Sequence, residues 1–409
     1  IAGAGTTTLT APNTYTGDTV INSAVNLSGG VGIVVIPNPG AAGGNTLTIN
    51  NAAVTMVTNN GQIGANNNLV LNGDADLTYV GANTVNGTIT FNHTGSAGTP
   101  TLTTGGTLTL NGNITSVNDV FGTTPTIAGV LDIGSATRTV DASGLSLNNL
   151  VISAQILGAG GGALTKTGAG ALSLTSATST FNGGLNLNVG SLIIGGSDTV
   201  TAGVKTGGPL GLGTLSVASG LKLIGTSATN YNAVTLASNN LIIGGVSSNN
   251  LVLNGAITFG VGTPTVTVES PAVVGTLGAK LTGVTALIKD GAGILALNNI
   301  ANDYNGITQV NNGTLRSAAT NTLSRFSNIN LATGGTLDIN GTNVVTGSIT
   351  GTGLVTNNAG ASTLATGFDD TNFTFSGRFG SANQTSANFN LNKIGTGTMT
   401  IDSAAATGT

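Results

Sequence analysis

The sequence predicts an all-β fold, a parallel β-helix or β-solenoid, and three observations predict it. Apolar-x-apolar couplets return at a steady period, Asn-Gly pairs follow several of them, and the composition disfavours helix while supplying a steady apolar core.

The couplets come first. They start at Leu47, Leu69, Ile89, Leu108, Leu131, Leu150, Leu172, Leu192 and Leu215, so each start follows the last by about one solenoid coil. Period-2 alternation puts both apolar side chains of a couplet on one face of a short strand, and stacking such strands builds an interior column. A uniform coil of this length divides the chain into roughly 18–20 rungs.

Turn chemistry comes next. Asn72-Gly73, Asn111-Gly112, Asn254-Gly255 and Asn340-Gly341 each follow an apolar strand residue. Asn and Gly tolerate positive φ, so the pair suits a corner between strands, and stacked Asn amides can bond from rung to rung. Asn-Gly also suits the hairpins of an antiparallel sandwich, which stays open as the alternative at this point.

Composition narrows the function classes. Charged residues make up 6% of the chain, against a usual share of about a quarter, and glycine numbers 66. Solubility therefore rests on Asn, Thr and Ser. The ten Lys and Arg are scattered and the net charge is −4, which serves a nucleic-acid backbone poorly. Cysteine is absent, so neither a disulfide framework nor a thiolate metal cage is available, and export in an extended state meets no premature cross-links. The longest apolar run, Val31 to Pro37, is far too short for a membrane helix. The opening Ile1-Ala2-Gly3-Ala4-Gly5 has neither an initiator Met nor a signal region, so a processed or excised chain is expected.

A longer motif recurs at wider intervals. It runs Leu164-Thr-Lys166-Thr-Gly168-Ala-Gly170-Ala-Leu172-Ser-Leu174, then Leu287 to Leu297 with Lys289, Gly291 and Gly293, then Leu391 to Ile401 with Lys393, Gly395 and Gly397. A decayed copy opens the chain at Gly3-Ala4-Gly5. Three copies continue into an aromatic-x-Gly step, Tyr15-Thr16-Gly17, Phe181-Asn182-Gly183 and Tyr304-Asn305-Gly306, and Gly190-Ser191-Leu192 and Gly313-Thr314-Leu315 close two of them.

This pattern resembles the autotransporter-associated β-strand repeat, also called the passenger-associated transport repeat. The resemblance implies a right-handed β-helix, secreted through an outer-membrane barrel and displayed on, or released from, a Gram-negative surface. It places repeats near 3–30, 162–196, 287–316 and 391–409 of one solenoid spanning 1–409, with no translocator barrel in the chain.

Chemistry is sparse by comparison. The glycines of Gly-x-Gly let the chain turn and the following Leu-x-Leu drops into the core, while Lys166, Lys289 and Lys393 are expected as exposed solubilising residues at corners. His93 is the single histidine and is expected at an exposed turn. With no cysteine and one histidine, triads and His-based metal sites have no partners. Asp74 with Asp76 and Asp369 with Asp370 are close carboxylate pairs, each expected in a solvated turn; Gly158 to Gly162 is expected as a flexible corner. Catalytic, cofactor and metal residues are therefore expected to be none, and the chain is expected not to be an enzyme.

Two functions from different classes remain. One is a surface passenger whose Asn, Thr and Ser faces contact host or neighbouring cells. The other is a self-assembling subunit of an extracellular filament or surface layer, which low charge favours because little repulsion opposes packing. Thr201 to Leu212 and Asn358 to Ser386 are expected to break the rung period.

Overall fold

A computed structural model describes residues 5–8, 17–28, 45–56, 68–95, 97–246, 249–281, 284–380 and 389–402. The described residues form strands and turns, with no helix among them, and the strands stack in parallel as a β-solenoid. Parallel pairing excludes the antiparallel sandwich. The chain divides into two compact units, Ile1–Ser216 and Val217–Thr409.

In the first unit, one interior column runs Leu47, Leu69, Ile89, Ile114, Val140, Lys166 and Leu187, each residue opposite the next in parallel register. A second runs Leu77, Leu102, Ile127, Ile152, Leu174 and Ile194. The couplets named from the sequence are buried throughout, but they do not form one column. Ile89 pairs with Ile114, whereas Leu108 pairs with Leu131 on another face. The step from Ile89 to Leu108 is thus a step between faces within one rung.

In the second unit Leu241, Val266, Lys289, Val310 and Leu331 form one column, and Leu295, Leu315, Leu337 and Val355 another. Rung length, measured by register, is not uniform: the step from Leu69 to Ile89 is short and that from Val25 to Val54 much longer. Together the two units hold about 14 turns, fewer than the 18–20 expected, because rungs such as those from Val25 to Val54 and from Val140 to Lys166 are longer than the couplet spacing suggests.

One expected break is real. The strands Thr199–Thr201 and Val204–Gly207 pair antiparallel as a hairpin, anchored where Lys205 Nζ meets the buried Asp198 carboxylate at 2.9 Å. The other is not. Up to residue 380 the second stretch keeps the rung pattern, with Leu364 opposite Val344 and Phe375 opposite Gly351; residues 381–388 lie outside the described residues.

Stacked asparagines tie rung to rung, as the turn chemistry predicted. Asn50 Nδ2 donates to Asn22 Oδ1 at 2.7 Å, Asn72 Nδ2 to Asn50 Oδ1 at 2.7 Å, and Asn92 Nδ2 to Asn72 Oδ1 at 2.9 Å. Asn72 both donates and accepts, while Asn92 is exposed at one end. Asn72→Ala is therefore expected to cost about 1–2 kcal/mol and Asn92→Ala clearly less, since the first loses a part-buried hydrogen bond as well as the exposed one and the second loses only the exposed one. Urea-unfolding midpoints of the two variants check this, and equal losses would show that the amide chain does not act as a ladder.

Candidate functional site: the repeat corner

Alternation along Ala163–Thr167 turns Leu164 and Lys166 to the same inward face, and along Leu287–Asp290 it turns Leu287 and Lys289 inward. Lys166 stands between Val140 and Leu187 in its column, and Lys289 between Val266 and Val310. Both are 0% exposed. The expectation of exposed solubilising lysines is corrected here, and period 2 is the reason: a residue two places after a buried Leu in a strand faces the core whatever its charge.

A buried ammonium needs acceptors, and the corner supplies them. Lys289 Nζ donates to the carbonyls of Asp290 at 2.7 Å, Gly291 at 2.6 Å and, one rung on, Asn312 at 2.9 Å. Lys166 Nζ donates to Thr167 O at 2.5 Å and Gly168 O at 2.7 Å, with Val189 O and Ala142 O at 3.3 and 3.4 Å on the neighbouring rungs. Lys393, half-buried, repeats the local part of the pattern on Ile394 O and Gly395 O.

These carbonyls converge because the chain reverses at the first glycine of Gly-x-Gly. Gly168, Gly291 and Gly395 lie at φ 76°, 75° and 74°, a left-handed conformation that frees their carbonyls from strand pairing. An ammonium with three N–H donors matches three converging carbonyls. The lysine is a plug that closes the corner from inside.

Burial pushes the Lys166 and Lys289 ammonium groups down from their ordinary value to about 8, partly offset by Asp141 and Asp290 respectively. The unfolded chain keeps these protons until near 10.5, so between pH 8 and 10.5 it binds more protons than the folded chain, and stability rises with pH. Above pH 10 the sign turns: burial raises the Tyr304 phenol to about 12 and raises that of Tyr79 too, so folding opposes their ionisation and stability falls. The unfolding midpoint is therefore expected to rise from pH 8 to about 9.5, with a shallower rise in Lys289→Met. A flat profile in the unmodified protein would remove the titrating lysines from the account.

The remaining candidates are structural fixtures. His93 is buried, not at an exposed turn: it follows Ile89 and Phe91 on the inward face, its Nδ1 lies 3.0 Å from Asn118 Oδ1, and its Nε2 is 3.8 Å from Asp74. Asp74 accepts the Gly98 N–H at 2.7 Å and Asp76 that of Thr101 at 2.9 Å, so both tie one rung to the next. Asp370 does the same for Thr396 N–H at 2.7 Å, and Asp369 accepts from the Ser348 hydroxyl at 2.7 Å. Asp74 lies at a bend and Asp369 and Asp370 at a turn, half-buried or exposed as expected, and these carboxylates and that of Asp76 are also stitched to neighbouring rungs. Among the described residues no three His, Cys, Asp or Glu gather in a group that could hold a metal, and no helix is long and apolar enough to cross a membrane.

Aromatic-x-Gly completes the corner. Phe181 and Tyr304 are buried, and Tyr304 Oη accepts from the Thr308 hydroxyl at 3.2 Å; Tyr15 lies outside the described residues. Gly190-Ser191-Leu192 and Gly313-Thr314-Leu315 return the chain to the core at Leu192 and Leu315. Compared with known protein families, residues 2–25, 164–194 and 287–316 match the passenger-associated-transport repeat. The matched stretches include the lysine plugs at Lys166 and Lys289, whereas the plug at Lys393 falls outside them. Repeats and solenoid together fit an autotransporter passenger. Neither the curated proteins nor the solved structures give a match to the chain.

Proposed function

We propose that the chain is a surface-displayed or secreted bacterial passenger, a structural and adhesive solenoid without catalytic activity, which contacts cell surfaces through its polar faces. The observation that carries this reading is the passenger-associated-transport repeat placed at solenoid corners, with its lysine and aromatic residues turned inward. A repeat whose distinctive side chains are consumed in closing the fold leaves contact to the outward Asn, Thr and Ser of the strands. The lack of catalysis is supported by His93 and the paired aspartates being held in rung-to-rung hydrogen bonds.

Protease shaving and immunolabelling of intact producing cells test the location, and flow cytometry of fluorescent purified chain on target cells tests adhesion. Labelling confined to permeabilised cells would defeat the location, and binding no greater than that of the heat-unfolded chain would defeat adhesion. Concentration-dependent filaments in electron micrographs, without cell binding, would favour the self-assembling subunit; low charge is the feature that supports it.

A further inference from the structure

In the second unit, side chains of scarce types converge on one groove. The chain has 14 aromatic residues (10 Phe and 4 Tyr) and 24 charged ones (10 basic and 14 acidic). The groove, of about 560 Å³, is lined by Phe326, Phe368, Arg325 and Asp303 together with Ile300 and Asn321. Phe326 and Phe368 are 42% and 39% exposed, in a fold that buries Phe181, Phe373 and Phe375. Their rings meet edge to face at 5.6 Å, and the Arg325 guanidinium carbon sits 4.9 and 5.1 Å from the two centroids.

We propose that this groove binds an acidic saccharide, with Arg325 taking the carboxylate. The guanidinium is held on two rings, and among the described residues no carboxylate pairs with it. A planar fork already fixed in place and lacking an anion matches a carboxylate in two parallel hydrogen bonds. The neighbouring Asp303 is neutralised by Lys280 at 2.7 Å, so the groove keeps a net positive centre and does not repel an incoming anion.

The rest of the lining sets the ligand class. A bare small anion would leave Ile300 and the two phenyl groups unused, and a purely apolar ligand would strip water from the guanidinium without replacing it. A uronic-acid sugar presents both a carboxylate and apolar C–H faces, with hydroxyls for Asp303 and Asn321 at the rim. The volume lies in the range of ligand pockets, roughly 300–1,000 Å³. This inference deepens the adhesive reading and rests on it for the biological source of the sugar, but the groove can be tested alone.

The test is titration calorimetry of the folded chain with tetragalacturonate and with neutral galactotetraose. Saturable binding of the acid is expected, at least fivefold tighter than any binding of the neutral sugar. It falls at least fivefold in Arg325→Gln and in Phe368→Leu and is unchanged in Arg378→Gln, with circular dichroism matching throughout. No binding of the acid at millimolar concentration, equal binding of the neutral sugar, or a smaller loss in Arg325→Gln would overturn the site. Cell binding by the same Arg325→Gln chain separates the two readings: retained adhesion with no saccharide binding in any variant defeats the groove alone, and saccharide binding without cell adhesion defeats the adhesive role alone.

Discussion

Lys289→Met is expected to destabilise the protein by about 2–4 kcal/mol, whereas Lys393→Met costs less than about 1 kcal/mol. Two effects oppose each other at the buried position. Removing a desolvated ammonium is favourable in itself, and replacing whole buried ion pairs by apolar side chains is often neutral. Here, however, the partners are backbone carbonyls of Asp290, Gly291 and Asn312, which no substitution at 289 removes. Methionine fills the volume of the stem and takes the ammonium donor from three part-buried acceptors, each costing up to about 1–3 kcal/mol where it stays unsatisfied. That loss exceeds the relief. At Lys393 the corner is half-open, so water replaces the ammonium. Urea midpoints of the two variants measure the difference; a Lys289→Met protein as stable as the parent would mean that the lysine does not plug the corner.

Gly313→Ala is expected to cost more than about 3 kcal/mol, against roughly 1 kcal/mol for Gly220→Ala. Both glycines have left-handed backbones, φ 66° and 75°, so both substitutions carry the same local strain. They differ in their neighbours. A Cβ at 220 meets nothing within 4 Å, but at 313 it would stand 2.5 Å from the Gly293 carbonyl oxygen and close to that of Gly291 on the rung beneath. Those atoms are backbone held by parallel pairing at Ile294–Thr314 and Leu295–Leu315, so the rung must separate locally. Stability in a stacked fold is a sum of nearest-neighbour terms, and the loss should appear as protease cleavage near 291–315 before the rest of the chain is cut. Equal midpoints for the two alanine variants would remove the close rung contact from the explanation.

Both predictions concern the repeat, and the repeat shows how far the sequence could be followed. Gly291-Ala-Gly293 announced a turn, and the Leu-x-Leu after it announced a return to the core, because left-handed backbone and period-2 burial are local properties. The inward lysine was also within reach: Leu287 and Lys289 are two apart in one strand, and alternation alone places them on one face. Charge argued for the surface and was the weaker guide. His93, two places after the buried Phe91, was misplaced for the same reason.

The amino-acid sequence determined the all-β class, the identity of the apolar core residues and the presence of the repeats, since each rests on spacing within one or two strands. Only the tertiary structure decided which couplets share a column, because loops of different length carry Ile89 to Ile114 and Leu108 to Leu131 on separate faces. It alone decided that carbonyls from successive rungs meet at one ammonium, and that Arg325, Phe326 and Phe368 share a groove. Such meetings depend on the register between successive rungs, and register is set by corner geometry and pairing, quantities that no single strand encodes.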